Sequence, residues 1–141
     1  MAYKILIVDD SLPMRSVLKK TITASGFGKA DFFEAENGKK ALEIMEKEWL
    51  DIVVTDFNMP EMNGIELLRE MKNNKQIEPV PVLVVTTEGS KLKIEEFSEL
   101  GASGYIKKPF TPEEIKEKLT QILGEAEYDT AIEEGDNDLD F

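Results

Sequence analysis

DIVVTDFNMPEMNG, residues 51–64, reads as a buried strand that ends in a carboxylate and turns into a helix. Ile52, Val53, Val54 and Thr55 are β-branched without interruption, the pattern of a strand covered on both faces. Asp56 closes the run, and Pro60 and Gly64 supply turn chemistry behind it. Asn63 with Glu66 three residues later is a capping-box start for a helix that would bury Leu67, Leu68 and Met71. A strand buried on both faces needs helices on both, so this stretch already argues for an α/β layered fold.

Working outward, the same unit recurs. KILIV (residues 4–8) precedes Asp9-Asp10, KADFFEA (29–35) precedes Asn37-Gly38, PVLVV (81–85) precedes Thr86, and GYIK (104–107) precedes Lys108-Pro109-Phe110. Between these runs the apolar spacing changes to the helical period. Met14, Val17, Leu18, Thr21 and Ile22 form one stripe, with Pro13 in its first turn and Gly26 past its end. Asn37-Gly38 opens a second helix through Ala41, Leu42 and Met45, which Trp49 is expected to close onto the sheet. Ser90 caps a helix carrying Ile94, Phe97 and Leu100, ended by Gly101. Thr111-Pro112-Glu113-Glu114 starts a last helix with Ile115, Leu119 and Ile122 on one face. Five strands alternating with five helices predict a doubly wound parallel sheet, the flavodoxin-like arrangement, over residues 1–124.

In such a sheet Asp9, Asp10, Asp56, Thr86 and Lys108 all fall at the carboxyl edge, where ligand sites of open α/β sheets lie. Like charges about 4 Å apart repel by about 4 kcal/mol at an effective dielectric near 20. Three acids gathered there call for a cation, and carboxylates with water suit Mg²⁺, or Mn²⁺. Three carboxylates, a hydroxyl and an ammonium together describe a divalent-metal site that receives a phosphoryl group.

Composition removes other chemistries. The 141 residues contain no cysteine and no histidine, so disulfides, thiolate metal sites and imidazole acid–base catalysis are absent. The net charge of −12 lacks the basic footprint of a nucleic-acid binder. No apolar run approaches membrane-spanning length and no export signal opens the chain, so a cytoplasmic protein, free of the membrane, is expected. Residues 125–141 hold Glu125, Glu127, Asp129, Glu133, Glu134, Asp136, Asp138 and Asp140 and no base. This acidic C-terminal tail has the composition of a solvated extension. Its apolar residues Tyr128, Ile132, Leu139 and Phe141 would let it dock instead on a basic surface around Lys91, Lys93, Lys116 and Lys118.

IVDDS, TDFNMPEMNGIELL, VVTTEG and GYIKKPF resemble the signature segments of bacterial response-regulator receiver domains, in order and at compatible spacing from residue 4 to about 123. The resemblance implies that Asp56 is the phospho-acceptor, supplied by a histidine kinase or a small phosphodonor. It implies Mg²⁺ ligated by Asp10, Asp56 and the backbone carbonyl of Asn58, with Asp9 acting through water. Lys108 would pair with Asp56 and then with the phosphoryl group, and the Lys108-Pro109 bond would be cis. Thr86 would bond a phosphoryl oxygen and, in moving, let Tyr105 turn inward. Asn58 and Glu88 would tune self-hydrolysis, and Lys91, Ile94, Tyr105 and Lys118 would form the output surface. Lys107 departs from the apolar residue often found at its position. A monomeric phospho-acceptor signalling protein follows, catalysing only its own phosphorylation and dephosphorylation and passing its state to a downstream protein target. A chemotaxis or motility regulator is the first choice, a phosphorelay intermediate or phosphate sink the second, and a receiver from a longer regulator the third.

Two rivals are weaker. A haloacid-dehalogenase-type phosphatase needs a second Asp two residues after its nucleophile, where this chain has Asn58. A flavodoxin-like binding module would place a Ser/Thr/Gly-rich phosphate loop after the first strand, where DDSLPMR offers acids.

Overall fold

A computed structural model describes residues 2–87 and 90–124. The acidic tail and Glu88 lie outside the described residues. In chain order the elements are β1 (Lys4–Val8), α1 (Leu12–Ile22), β2 (Asp31–Ala35), α2 (Gly38–Lys47), β3 (Ile52–Asp56), α3 (Gly64–Lys72), β4 (Val82–Thr86), α4 (Lys91–Glu99), β5 (Gly104–Lys107) and α5 (Pro112–Leu123). The strands form one parallel sheet, as expected, and its order is β2-β1-β3-β4-β5.

The order decides which helix covers which face. A right-handed crossover from β1 to β2 runs one way across the sheet, and the later crossovers run the other way. Helices α2, α3 and α4 therefore cover one face and α1 with α5 the other. Strand alternation divides the core accordingly. Leu6, Val8, Val53, Val82 and Val84 pack with Met45, Leu67, Met71 and Phe97. Ile5, Ile7, Ile52, Val54, Leu83 and Val85 pack with Leu18, Ile22, Ile115 and Leu119.

Local signals place the helix ends. Asn37, Asn63, Ser90 and Thr111 each cap a helix as read from sequence, and both capping boxes, Asn63–Glu66 and Thr111–Glu114, are complete. Gly101, at φ +94°, closes α4 in a Schellman turn: Ala102 N–H donates to Phe97 O and Gly101 N–H to Ser98 O. Helix α1 ends at Ile22 with Thr23 as its C-cap, and the non-helical φ of +100° at Gly26 kinks the chain just past that end, where the sequence placed this glycine.

Two expectations fail. Trp49 is 82% exposed, whereas Leu50 is buried. Trp49 follows the C-cap residue Glu48, and the next residue is the one that turns under the sheet. Val17 is also exposed, because only Leu18 and Ile22 of the α1 stripe are fully covered and Met14 is half-buried.

Trp49→Ala should therefore change stability by no more than about 0.5 kcal/mol, as a surface substitution does. Phe97→Ala, which empties a fully buried site, should cost roughly 3–5 kcal/mol. Urea denaturation followed by circular dichroism checks both, and a loss at Trp49 comparable to that at Phe97 would contradict the placement.

Candidate functional site

The carboxyl ends of β1, β3, β4 and the turn after β5 meet at one edge. Asp9 follows β1, and three contacts hold it. Its N–H donates to Ala35 O at 3.1 Å, its Oδ1 accepts from Ser11 N at 2.8 Å, and its main-chain carbonyl accepts from Arg15 Nη1 at 2.6 Å. Asp9 is buried, yet its Oδ2 has no hydrogen-bond partner. Asp10, the next residue, is exposed.

Asp56 ends β3 and is buried. Its Oδ1 accepts from Phe57 N at 2.9 Å and from Lys108 Nζ at 3.3 Å. No bond to Asp56 Oδ2 is formed among the described residues. Lys108 reaches both acids, with its Nζ also 3.6 Å from Asp9 Oδ2. The register delivers it there: Thr86 pairs with Lys107, and Lys108 N–H donates to Thr86 O at 2.7 Å. The Lys108-Pro109 bond is cis, as the resemblance implied. Thr86 is wholly buried at the end of β4.

The turn after Asp56 is held from behind. Gly64 N–H donates to Phe57 O at 2.9 Å, and a Cβ on Gly64 would lie 3.1 Å from Phe57 Cα and 3.2 Å from Asp56 O. Glycine is needed there for close backbone approach. Phe57 packs edge-on against Phe97 with ring centroids 5.4 Å apart, and Lys93 Nζ lies 5.3 Å from the Phe57 ring. The residue beside Asp56 is thus in contact with α4.

One carboxylate oxygen each from Asp9, Asp10 and Asp56 lie within 4.8 Å of one another. The donors are all oxygen, one of them is buried without a hydrogen-bond partner among the described residues, and the set is net acidic. Such a set fits Mg²⁺ or Mn²⁺. The Asp9 carboxyl is pushed up from its ordinary value, first by burial and then by the charges of Asp56 and Asp10, against the opposing pull of Ser11 N–H and Lys108.

The remaining residues take these places. Asn58 is exposed in the turn after Asp56. Tyr105 is half-buried on β5, between two grooves. One, about 180 Å³, is lined by Ile94 and Phe97 of α4. The other, about 230 Å³, is lined by Glu114, Glu117 and Lys118 of α5. Ile94, Tyr105 and Lys118 therefore share one face, whereas Lys91 lines neither groove. Three contributors have no sequence signature: the N–H groups of Ser11 and Phe57, and Arg15, which reads as an ordinary surface charge.

Residues 5–120 match the family model described as the response regulator receiver domain. The chemotaxis protein CheY homolog of Campylobacter jejuni is 43% identical over 92% of this chain and 99% of that protein. Chemotaxis protein CheY1 of Helicobacter pylori is 39% identical over 86% of this chain and 97% of that one. The solved structure of chemotaxis protein CheY4 from Vibrio cholerae superimposes with a TM-score of 0.78 at 33% identity, covering 87% of this chain and all of that chain. The chain belongs to the response regulator receiver family and is a CheY-like signalling protein. Among the described residues no helix is long and apolar enough to cross a membrane.

The raised Asp9 carboxyl carries a sign for stability. The folded protein holds this proton more tightly than the unfolded chain, so the group lowers stability as pH rises above its ordinary value of 3.8. Asp9→Asn should raise the melting temperature at neutral pH in EDTA by about 3 °C, equivalent to about 1 kcal/mol. The gain should shrink as the pH falls towards 3.8, because the wild-type carboxyl takes up its proton on the way down. Scanning calorimetry across that range checks it, and a mutant less stable at pH 7 would contradict the electrostatic account.

Proposed function

As the reading of this receiver site, we propose that Asp56 is the phospho-acceptor of a cytoplasmic two-component signalling cycle. The supporting observation is the bridge from Lys108 Nζ to Asp56 Oδ1 and Asp9 Oδ2, with no hydrogen bond to Asp56 Oδ2 among the described residues. That oxygen attacks the phosphorus of a histidine kinase's phosphohistidine or of a small phosphodonor. With phosphohistidine the O–P bond forms as the P–N bond breaks, and the electron pair returns to the imidazole nitrogen, which takes a proton. With acetyl phosphate the P–O bond breaks and acetate leaves. The product is an aspartyl phosphate, and attack by water returns the carboxylate and free phosphate.

Phosphoryl transfer asks the protein mainly to position groups and offset charge. Asp10, Asp56 and the Asn58 carbonyl would hold Mg²⁺, with Asp9 engaging it through water. The ion supplies neutralisation of charge on the transferring oxygens. Phe57 N–H and Lys108 fix the carboxylate, and Lys108 follows the negative charge onto the phosphoryl oxygens. Thr86 donates its hydroxyl to one of them. Asn58 and Glu88 tune the lifetime of the phosphorylated form.

An aspartyl phosphate carries close to two negative charges at one point, about one more than the carboxylate it replaces. Thr86 shifts towards them, and Tyr105 turns into the space vacated on the neighbouring strand. The face of α4, β5 and α5, with Lys91, Ile94, Tyr105 and Lys118, changes shape and selects a protein target. The relatives named above are chemotaxis proteins, and their likeness to this chain supports the same output here: a kinase of the chemotaxis type upstream and a motor or switch component, or a phosphatase, downstream. Residues 1–124 are the receiver domain, which works as a monomer, and residues 125–141 are an acidic extension of it.

Incubation with acetyl phosphate and Mg²⁺ should add one phosphoryl group, seen by intact-mass spectrometry as a hydrolysable adduct. Asp56→Asn or EDTA should abolish it, and its survival in either would overturn the assignment. In NMR spectra, a beryllofluoride-activated sample should shift Ile94, Tyr105 and Lys118 as well as the site. Thr86→Ala should keep the site shifts and lose most of those at Tyr105.

A further inference from the structure

The geometry points to Arg15 as a positioning residue for the metal site, acting through the peptide that joins Asp9 to Asp10. It rests on the reading of Asp10 as a direct Mg²⁺ ligand. Arg15 lies one turn into α1, its N–H donating to Ser11 O at 3.0 Å, and its side chain leans back over the helix start. Nη1 donates to the Asp9 carbonyl at 2.6 Å, and Nε donates to Glu34 Oε1 on β2 at 2.8 Å. The side chain is only 14% exposed. A guanidinium is a rigid planar fork, so anchoring one arm on β2 fixes where the other arm can meet the carbonyl.

The Asp9 carbonyl belongs to the peptide plane that carries Asp10 N–H. Asp9 itself is held independently, by Ala35 O on its N–H and by Ser11 N–H on its carboxylate. Asp10 makes no hydrogen bond among the described residues and is exposed. The direction in which its carboxylate projects therefore depends on the plane that Arg15 holds. Glu34 completes the chain. Its carboxyl is held below its ordinary value, first by the hydrogen bond from Arg15 and further by Lys19, whose Nζ lies 3.4 Å from Oε2.

Charge and positioning predict opposite signs. Removing a cation near the acids would by itself tighten binding of Mg²⁺, whereas releasing the peptide would weaken it. Calorimetric titration of Mg²⁺ into the full chain at fixed ionic strength separates the two. Arg15→Ala should weaken binding about 10-fold, the scale of losing an outer hydrogen bond that orients a metal ligand. The acetyl-phosphate rate should recover at saturating Mg²⁺, because no reacting group has been removed. Arg15→Lys, which keeps the charge and gives up the fork, should also bind more weakly than wild type.

Glu34→Gln should weaken binding by about 3-fold in the wild-type background and add nothing to Arg15→Ala, as expected for residues that act as one unit. Melting curves in EDTA establish that each variant is folded. Unchanged or tighter binding in Arg15→Ala, wild-type affinity in Arg15→Lys, or an additive loss on combining Arg15→Ala with Glu34→Gln would each overturn the proposal. Failure of the phosphorylation reading itself looks different: the wild type would then bind no Mg²⁺, or Asp56→Asn would still be modified.

Discussion

Repulsion among carboxylates at one edge of the sheet is the constraint on which the rest of this structure turns. Asp9 and Asp56 are buried side by side with Asp10 nearby, and Lys108 is the ammonium that bridges the two buried acids. Such an arrangement does not hold itself together. It persists because β1 and β3 are adjacent, fully covered strands whose ends cannot move apart without opening the core on both faces. The site's high charge density is thus a load on the fold, of the kind active sites often impose.

The supports follow from that load. Each buried acid is fixed by donors that do not take part in chemistry: Ser11 N–H for Asp9 and Phe57 N–H for Asp56. Gly64 lets α3 start directly behind Asp56, and Phe57 ties the same turn to Phe97 on α4. Among the described residues Asp56 Oδ2 accepts no hydrogen bond, and Asp9 Oδ2 meets Lys108 Nζ at 3.6 Å without forming one. Asp56 thereby contacts two parts of the fold, Lys108 beyond β5 directly and Phe97 on α4 through Phe57.

Legibility differed by the range of the interaction involved. Caps at Asn37, Asn63, Ser90 and Thr111 were readable because each is settled within four residues of chain. The buried strands were readable because unbroken β-branched runs leave few alternatives at that length. Trp49 was misread because helix periodicity says nothing about the residue past a C-cap, where one step of rotation decided that Leu50, and not Trp49, faces inward. Val17 was misread because the width of a buried stripe depends on what covers it. Arg15 carried no signal, since its partners Asp9 and Glu34 come from two different strands.

The sequence by itself determined the five strand–helix units, their caps, and the placing of Asp9, Asp10, Asp56, Thr86 and Lys108 just beyond strand ends. These follow from local propensity and hydrophobic period. Tertiary structure alone decided that β1 and β3 are neighbours, that Lys108 falls within reach of both buried acids, and that Arg15 spans from α1 to β2 while holding the Asp9 carbonyl. The reason is distance along the chain. Lys108 and Asp56 are 52 residues apart, and only the register of parallel strands, fixed by burial on both faces, brings them to 3.3 Å.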